Sequence, residues 1–270
     1  MRVRAKAAAF LALALSSLAI ADISNAAAAL CAAYPGKFRF DAAANEIVWP
    51  DNTRMPFGSP RPELAFEDRL AIATLYDQMS IPYPREWPQS PPSADCDPGR
   101  MRCDAFLKKM YGDTAAEVER NLARVSWPPA GAGKTVRFTT INSANKSLEK
   151  VGEAIAKLNP EVRDYVSRPN GTFNWRPIAG TDRLSPHSYG IAIDFDIQHL
   201  LNQYWRWAKD KGATASNYPA EILEDTALRQ IVEIFEQNGF IWGGKWHHYD
   251  LMHFEFRPEL LNTKDALKTE

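Results

Sequence analysis

The sequence lacks an excess of positive charge. It has 32 lysine and arginine residues against 33 acidic residues, which gives a formal net charge of −1. Proteins that bind nucleic acid hold the phosphate backbone with clustered positive charge, so this balance argues against nucleic-acid binding. The 14 glycines and 19 prolines follow no period, which excludes collagen-like and repeat architectures. The hydrophobic fraction of 45% and the charged fraction of 24% are typical of a globular protein.

Cysteine is scarce, and none of the three cysteines belongs to a Cys-x-x-Cys pair of the kind that thiolate zinc sites use. Any metal ligands must therefore be sought among histidines and carboxylates. Cys96 and Cys103 are separated by a short stretch that contains Pro98 and Gly99, so a small disulfide loop is compatible with this spacing in an oxidising compartment. Cys31 would then be the odd thiol, and the alternative is three unpaired, buried thiols.

The N-terminus lacks an apolar run long enough to span a membrane. Three basic residues within positions 2–6 precede an apolar run over 7–20, which falls short of the ~20 residues that a membrane-spanning helix needs. This arrangement, followed by a small-x-small site at 24–26, is typical of a secretory signal peptide. We therefore predict a signal peptide over 1–26, export to the periplasm or cell envelope, and no stable membrane insertion after cleavage. An uncleaved anchor is the alternative.

The part of the chain that follows the leader is predicted to form an arm and then short helices. Residues 27–62 show little periodicity, and a proline-rich loop interrupts the periodic segments that follow. Helical periodicity appears at 62–79, 104–111 and 114–125. Two prolines and two glycines between 128 and 133 mark a domain boundary near residue 130.

Beyond that boundary, strand-like and helix-like segments alternate irregularly. Strands are predicted at 135–141, 190–197, 240–242 and 252–256. Helices are predicted after a cap at Asn142 or Ser143, with an apolar face over 148–158, and at 227–238. Because these segments show no regular βαβ repeat, the sequence predicts an α+β domain over 131–270. A mainly helical and loop-rich extension over 27–130 precedes it.

Two segments carry the residue types of a catalytic metal site. The first places His187 in a loop before a predicted strand, with Asp194 inside that strand, and the second supplies His253 with Asp250 three residues before it. A catalytic zinc site uses three imidazole or carboxylate ligands and keeps a fourth position for water. It also needs a nearby carboxylate to take a proton from that water. Asp196 shares a strand face with Asp194 and is an alternative ligand.

The residues around these positions follow a more specific pattern. Ser-x-His-x-x-Gly-x-Ala-x-Asp stands at 185–194, and Trp-x-x-x-Asp-x-x-His-Phe-Glu stands at 246–255 after Trp-Gly-Gly at 242–244. Over roughly 138–261 the chain resembles the VanY-like D-alanyl-D-alanine carboxypeptidase family, a group of zinc peptidases of the bacterial cell wall. The resemblance implies a small antiparallel sheet with flanking helices, of the hedgehog and D-Ala-D-Ala peptidase type.

The resemblance also implies a role for each matching residue. It implies one zinc ion per chain, Zn²⁺, with three ligands: His187, Asp194 and His253. Asp250 corresponds to the catalytic base, and Arg176 matches best an upstream arginine that helps to hold the substrate or the oxyanion. Arg183 is the second choice for that arginine. Further residues near the substrate are Arg183, Ser185, Tyr189 and Trp246. Glu255 shares a strand face with His253, so it either orients that imidazole or forms an ordinary salt bridge.

Three functions remain open from the sequence. The leading one is an exported zinc metallopeptidase that acts on peptidoglycan stem peptides as a D-alanyl-D-alanine carboxypeptidase. Many relatives carry glutamate at the position of Asp250, and the aspartate of this chain is more similar to the branch that includes the L-alanyl-D-glutamate endopeptidases. Such an endopeptidase is therefore the second function. The third is a non-catalytic cell-wall-binding module that retains the fold. A serine hydrolase is disfavoured, because no Gly-x-Ser-x-Gly elbow surrounds Ser185 or Ser188.

Overall fold

The computed structural model describes residues 22–94, 96–196, 204–205 and 218–261. Within these ranges the protein is α+β, with short helices around small antiparallel sheets, which confirms the predicted fold class. The helices are α1 (22–33), α2 (Phe66–Ala71), α3 (Leu75–Ser80), α4 (Asp104–Tyr111), α5 (Ala115–Arg120), α6 (Ala144–Ile155), α7 (Pro160–Asp164), α8 (Thr226–Gln237) and α9 (Pro258–Leu261). The strands are β1 (Arg39–Asp41), β2 (Glu46–Val48), β3 (Arg54–Pro56), β4 (Leu122–Ser126), β5 (Thr135–Thr139), β6 (Pro169–Gly171), β7 (Ala192–Phe195), β8 (Phe240–Trp242) and β9 (His253–Phe256).

The strands of the described ranges form three antiparallel sheets: a β1–β2–β3 meander, a β4–β5 hairpin and a four-stranded sheet in the order β6–β7–β9–β8. Successive side chains of a strand point to opposite faces of its sheet. In the four-stranded sheet, Phe195 and Phe254 therefore face α8, where the Phe254 ring stacks on Phe235 with centroids 4.0 Å apart. Asp194 of β7 pairs with His253 of β9, and both point to the opposite face.

The segment predicted as a loop-rich arm contains regular structure. Residues 22–33 form α1, and the meander β1–β3 follows it. Each of these strands has only three residues, which is too short for an alternating pattern to be visible in the sequence. The chain turns near Asn45 and Asn52, both of which adopt positive φ angles, a conformation that asparagine tolerates better than most residues.

One of the predicted helices is divided in the structure, and another is shorter than predicted. The helix predicted over 62–79 is two helices, α2 and α3, because Thr74 forms a capping box with Asp77 and starts a new helix there. The helix predicted over 114–125 ends at Arg120, and the residues after it form β4. In the second half of the chain, the predicted strands and helices match β5, α6, β7, α8, β8 and β9 to within a few residues.

The expected domain boundary near residue 130 lies inside the β4–β5 hairpin. All five residues of β4 pair with β5, from Leu122 with Thr139 to Ser126 with Thr135. One hydrophobic core also contains residues from both sides of residue 130, since it includes side chains from α1, α4, α6 and α8. The N-terminal extension and the C-terminal part therefore form one packed unit, and the break that the prolines and glycines indicated is a hairpin turn.

Helix α1 packs against this unit. Ala26 and Leu30 are buried in the core, and the Asp22 carboxylate accepts a 2.7 Å hydrogen bond from the Tyr76 hydroxyl. Removal of 1–26 would divide α1, whereas the small-x-small sequence at 19–21 lies immediately before it. The leader over residues 1–21 lies outside the described residues, and its removal stays a prediction.

If a signal peptidase processes this chain, we expect cleavage after residue 21, which leaves Asp22 as the first residue of the product. Cleavage at this position keeps the buried contacts of α1, and cleavage after residue 26 loses part of them. Intact-mass measurement of the protein recovered from the cell envelope distinguishes the two. A mature chain that begins after Ala26 would contradict this expectation. Within the described ranges, none of the helices combines the length and the apolar character that crossing a bilayer requires.

Candidate metal centre

Three side chains converge on the face of the four-stranded sheet opposite α8. His187 lies in a 3₁₀ turn, Pro186–Tyr189, that leads into β7. Asp194 and His253 come from β7 and β9, where they are directly opposite each other. One ligand atom of each of the three lies within 4.8 Å of the others. Two imidazoles and a carboxylate are donors that zinc prefers, and three such ligands are the number that a catalytic zinc site uses.

The turn that carries His187 depends on local sequence. Pro186 occupies its first position and the Ser185 hydroxyl accepts a hydrogen bond from the His187 backbone N–H, so the turn is capped. Gly190 ends the turn at φ +64°, and a Cβ at this position would collide with the Leu122 side chain. Glycine meets both requirements, because it adopts positive φ without strain and has no Cβ. Gly190 therefore allows the chain to pass from the turn that carries His187 into the strand that carries Asp194.

Asp194 lies between the two imidazoles. Its Oδ2 atom is 3.2 Å from His187 Nε2, and its Oδ1 atom is 2.8 Å from His253 Nδ1. Burial acts to raise the pKa of Asp194, but hydrogen bonds from both imidazoles hold that pKa well below its ordinary value. Burial acts to lower the pKa of His253, yet hydrogen bonds to Asp194 and Glu255 raise it to about 10. The cluster thus stabilises a positive charge, and a divalent cation would supply that charge.

The second nitrogen of His253 contacts a buried carboxylate. His253 Nε2 is 3.2 Å from Glu255 Oε2, and Glu255 is completely buried. Imidazoles that bind metals commonly donate their other N–H to a carboxylate, which fixes the orientation of the ring. The structure places Glu255 in this position, and it also pairs Glu255 Oε1 with Arg257 Nη1 at 2.9 Å.

A chain of buried ion pairs and hydrogen bonds continues from Glu255 to the N-terminal part of the protein. Arg257 Nε donates to Glu259 Oε1 at 2.5 Å, and all three of these charged residues have no exposed surface. Glu259 accepts further hydrogen bonds from the Tyr34 hydroxyl at 2.6 Å and from Gln78 Nε2 at 3.1 Å. The N-terminal extension thereby supplies two of the groups that hold the carboxylates behind the metal centre.

Asp250 lies beside the cluster, on the turn before β9. Its backbone N–H donates to the Gly243 carbonyl at 3.0 Å, and its own carbonyl accepts the His253 N–H at 3.2 Å. The carboxylate is about a quarter exposed, with Oδ2 3.8 Å from Arg100 Nη2. Burial raises the pKa of Asp250, and the positive charges of His253 and Arg100 offset only part of this effect. A carboxylate with a raised pKa is suited to accept a proton and to return it.

The two arginines expected near the substrate differ in their surroundings. The side chain of Arg176 is exposed, and Nη1 donates to the carbonyl of its neighbour Pro177 at 3.5 Å. Arg183 is largely buried, with Nη2 on the Arg100 carbonyl at 2.9 Å and Nε 3.7 Å from Asp104. Arg183 therefore supports the loop that carries Arg100, while Arg176 is free to meet a ligand from solvent.

The structure does not support two of the residues predicted to lie near the substrate, or the alternative metal ligand. Tyr189 was expected near the substrate, but it is fully buried, and its ring packs against Tyr111 in the core. Trp246 is almost fully buried too, although its ring contacts His253 with centroids 5.7 Å apart. The alternative ligand Asp196 is not among the three clustered residues, and its backbone N–H donates to the Arg168 carbonyl.

The disulfide loop that the sequence permits is not formed, because Cys96, Cys103 and Cys31 are all unpaired. The two ends of the loop are tied to different elements. The Cys96 carbonyl accepts the His247 N–H at 2.8 Å, while the Cys103 N–H donates to Gln78 Oε1 at 3.0 Å. Cys103 also packs into the hydrophobic core, and burial raises the pKa of both thiols.

Sequence analysis missed the loop over 96–102, which lies against the metal centre. Asp97 is completely buried and receives two hydrogen bonds from His248, one from the backbone N–H at 2.8 Å and one from Nδ1 at 2.6 Å. Arg100 Nε and Nη2 both donate to the His248 carbonyl, at 3.1 and 2.8 Å. These contacts join residues far apart in the chain, and nothing in the local pattern of either segment indicates them.

Gly99 lets this loop approach the metal centre closely. A Cβ built on Gly99 would collide with the indole ring of Trp246, which in turn contacts His253. We expect Gly99→Ala to lower the free energy of unfolding by ~1–3 kcal/mol, since the buried ring has little room to move. Urea unfolding measures the change. Gly171→Ala is the control, because its Cβ meets nothing within 4 Å, and equal effects in the two variants would contradict the expectation.

Comparison with known families adds one match. Residues 179–256 match the family model described as D-alanyl-D-alanine carboxypeptidase. The matched segment contains the three clustered residues and Asp250, and it covers well under half of the chain. It does not include Arg100 or any other part of the N-terminal extension. No curated protein and no solved structure matched the chain.

Proposed function

We propose that the protein is an exported zinc peptidase of peptidoglycan stem peptides, and the premise is the match of residues 179–256 to the D-alanyl-D-alanine carboxypeptidase family model. The observation that supports this most directly is the convergence of His187, Asp194 and His253, with Asp250 beside them. A wall-binding module would have no need for a proton-accepting carboxylate next to a metal site. The intact set therefore favours catalysis.

The residues of the site divide the chemistry among them. His187 Nε2, His253 Nδ1 and an Asp194 oxygen would hold the zinc ion, and Glu255 orients His253 through its other nitrogen. When bound, zinc supplies a Lewis acid that polarises the peptide carbonyl and lowers the pKa of water to about 7. Asp250 accepts a proton from the attacking water and returns it to the leaving amine. Ser185 and Gly190 keep His187 in position by shaping the turn on which it stands.

Of the two peptide bonds that fit this chemistry, we favour the terminal D-alanyl-D-alanine bond, since the family match points to a carboxypeptidase. The L-alanyl-D-glutamate bond is the second candidate, favoured by aspartate in place of glutamate at Asp250. The wall-binding module is the third. All three readings predict binding to peptidoglycan, and they differ in the product.

Mass spectrometry of purified muropeptides incubated with the zinc-loaded protein distinguishes these functions. Loss of one terminal alanine supports the carboxypeptidase, and release of the stem at D-glutamate supports the endopeptidase. No product from a protein that holds one zinc ion per chain favours the binding module. Removal of a ligand in His187→Ala should abolish both zinc binding and turnover, which elemental analysis and the same digestion check.

A further inference from the structure

We propose that Arg100 is a carboxylate-binding residue that recognises the free C-terminal carboxylate of the substrate. The inference rests on the proposed function and adds to it a determinant of specificity. Arg100 lies outside the segment that matches the family, in the loop that the N-terminal extension lays against the metal centre. The C-terminus of the substrate peptide would accordingly be recognised by a part of the protein that the family match does not cover.

The guanidinium of Arg100 is held in one orientation. Nε and Nη2 both donate to the His248 carbonyl, at 3.1 and 2.8 Å, and the group lies over the Trp246 ring at 5.2 Å from its centroid. The Arg100 carbonyl accepts a hydrogen bond from Arg183, so the backbone is fixed as well. An arginine that is already ordered loses little side-chain entropy when it binds a ligand.

The fixed guanidinium retains hydrogen-bonding capacity. It has five N–H donors, and within the described part of the chain Nη1 makes no hydrogen bond. The nearest carboxylate, Asp250, lies 3.8 Å from Nη2, which is too long for a hydrogen bond. The side chain is 17% exposed, so a ligand can reach it from solvent. A planar fork with free donors is the group that best recognises a carboxylate.

The charge of the surroundings explains why a cation is needed there. Asp250 would repel a substrate carboxylate that approached the reacting bond, whereas the charge of Asp194 would be offset by the metal ion that it holds. In a carboxypeptidase substrate, that carboxylate is only one residue away from the bond that is cut. Arg100 lies beside Asp250 and offsets this repulsion. Exposed Arg176 contacts neither carboxylate in the described residues.

The test compares two substrates that differ only in the terminal charge. N-acetylated peptides ending in D-alanyl-D-alanine and in its C-terminal amide are assayed with the zinc-loaded full-length protein. The native protein should prefer the carboxylate. In Arg100→Gln, kcat/KM for the carboxylate should fall by about 10- to 100-fold, as expected for loss of a charged hydrogen bond, mainly through KM. The loss for the amide should be smaller by about 10-fold, because the amide carries no charge for Arg100 to recognise. Any loss that the two substrates share reports the effect of Arg100 on Asp250, which lies 3.8 Å from it.

Arg100→Lys is the matched control, because it keeps the charge and removes the fork, and its effect should be intermediate. Zinc content should stay at the native value in both variants, and the unfolding midpoint shows how much the lost hydrogen bonds to the His248 carbonyl cost. An equal loss for both substrates, or no loss, would overturn the role of Arg100. If the native protein cleaves neither peptide, the proposed function fails, and calorimetric binding of the same two peptides still decides about Arg100. Binding that does not depend on the terminal carboxylate would then overturn the proposal.

Discussion

Asp250→Asn should lower kcat by about 10²- to 10⁴-fold, the typical contribution of a general base, while zinc stays bound. The substitution keeps the shape of the side chain and removes its ability to accept a proton. Asp250 is not one of the three clustered residues, and its nearest cation is Arg100 at 3.8 Å. Its backbone hydrogen bonds to Gly243 and His253 do not depend on the carboxylate. Turnover of the stem peptide measures the change in kcat, and elemental analysis of the same sample measures the zinc that stays bound.

Asp196→Asn provides the matched control for this change. It makes the same substitution two residues from Asp194, at a half-buried position outside the metal cluster. We expect it to leave both kcat and zinc content near the native values. Loss of zinc from Asp250→Asn would show that Asp250 is a ligand, and near-native turnover would show that another group accepts the proton.

Arg257→Met should be the most destabilising of these substitutions. It removes the cation between Glu255 and Glu259, which are both completely buried. Glu259 then keeps only the neutral donors Tyr34 and Gln78, and Glu255 keeps the His253 imidazole. Breaking a buried ion pair from one side typically costs ~3–5 kcal/mol in the free energy of unfolding. Since Glu255 also contacts His253, zinc affinity should fall by about 10- to 100-fold. Urea unfolding of the metal-free protein and zinc titration measure these two effects.

The chain offers a matched control on its surface. Arg54 also bridges two carboxylates, Asp41 at 3.1 Å and Glu46 at 2.9 Å, but it is 46% exposed. Arg54→Met should therefore change the free energy of unfolding much less than Arg257→Met does and leave zinc affinity unchanged. If Arg257→Met does not fold, Glu259→Gln tests the same network with a smaller change. Equal effects of Arg257→Met and Arg54→Met would contradict the role given to the buried chain.

The parts of the site that could be predicted from the sequence are those with local patterns. His187 and Asp194 are close in sequence, joined by a short turn and the start of a buried strand, so their common location follows from one short segment. Asp250 and His253 are likewise separated by a single turn. The pairing of β7 with β9 could not be derived from periodicity, and only the resemblance to a family joined the two segments before the structure did.

The parts that could not be predicted depend on contacts between distant residues. Arg100 reaches Asp250 only because the 96–102 loop is anchored by the Asp97–His248 hydrogen bonds. Tyr189 follows the metal-binding turn directly, and its burial against Tyr111 depends on how the N-terminal helices pack. The meander β1–β3 was missed because three-residue strands carry almost no alternation. Sequence patterns thus predicted the candidate site residues and the helix at 104–111, but not the contacts by which the N-terminal part packs around the site.

The buried chain from His253 through Glu255, Arg257 and Glu259 to Tyr34 has a consequence for recombination between homologous genes. A crossover anywhere between α1 and β9 would separate Tyr34 and its partner carboxylate into different parents. A hybrid would have to inherit both ends of the chain from the same parent, or inherit residues of matching charge and length at each step. The ionic network therefore requires Tyr34 and Glu259 to be inherited together, although they are 225 residues apart in the sequence.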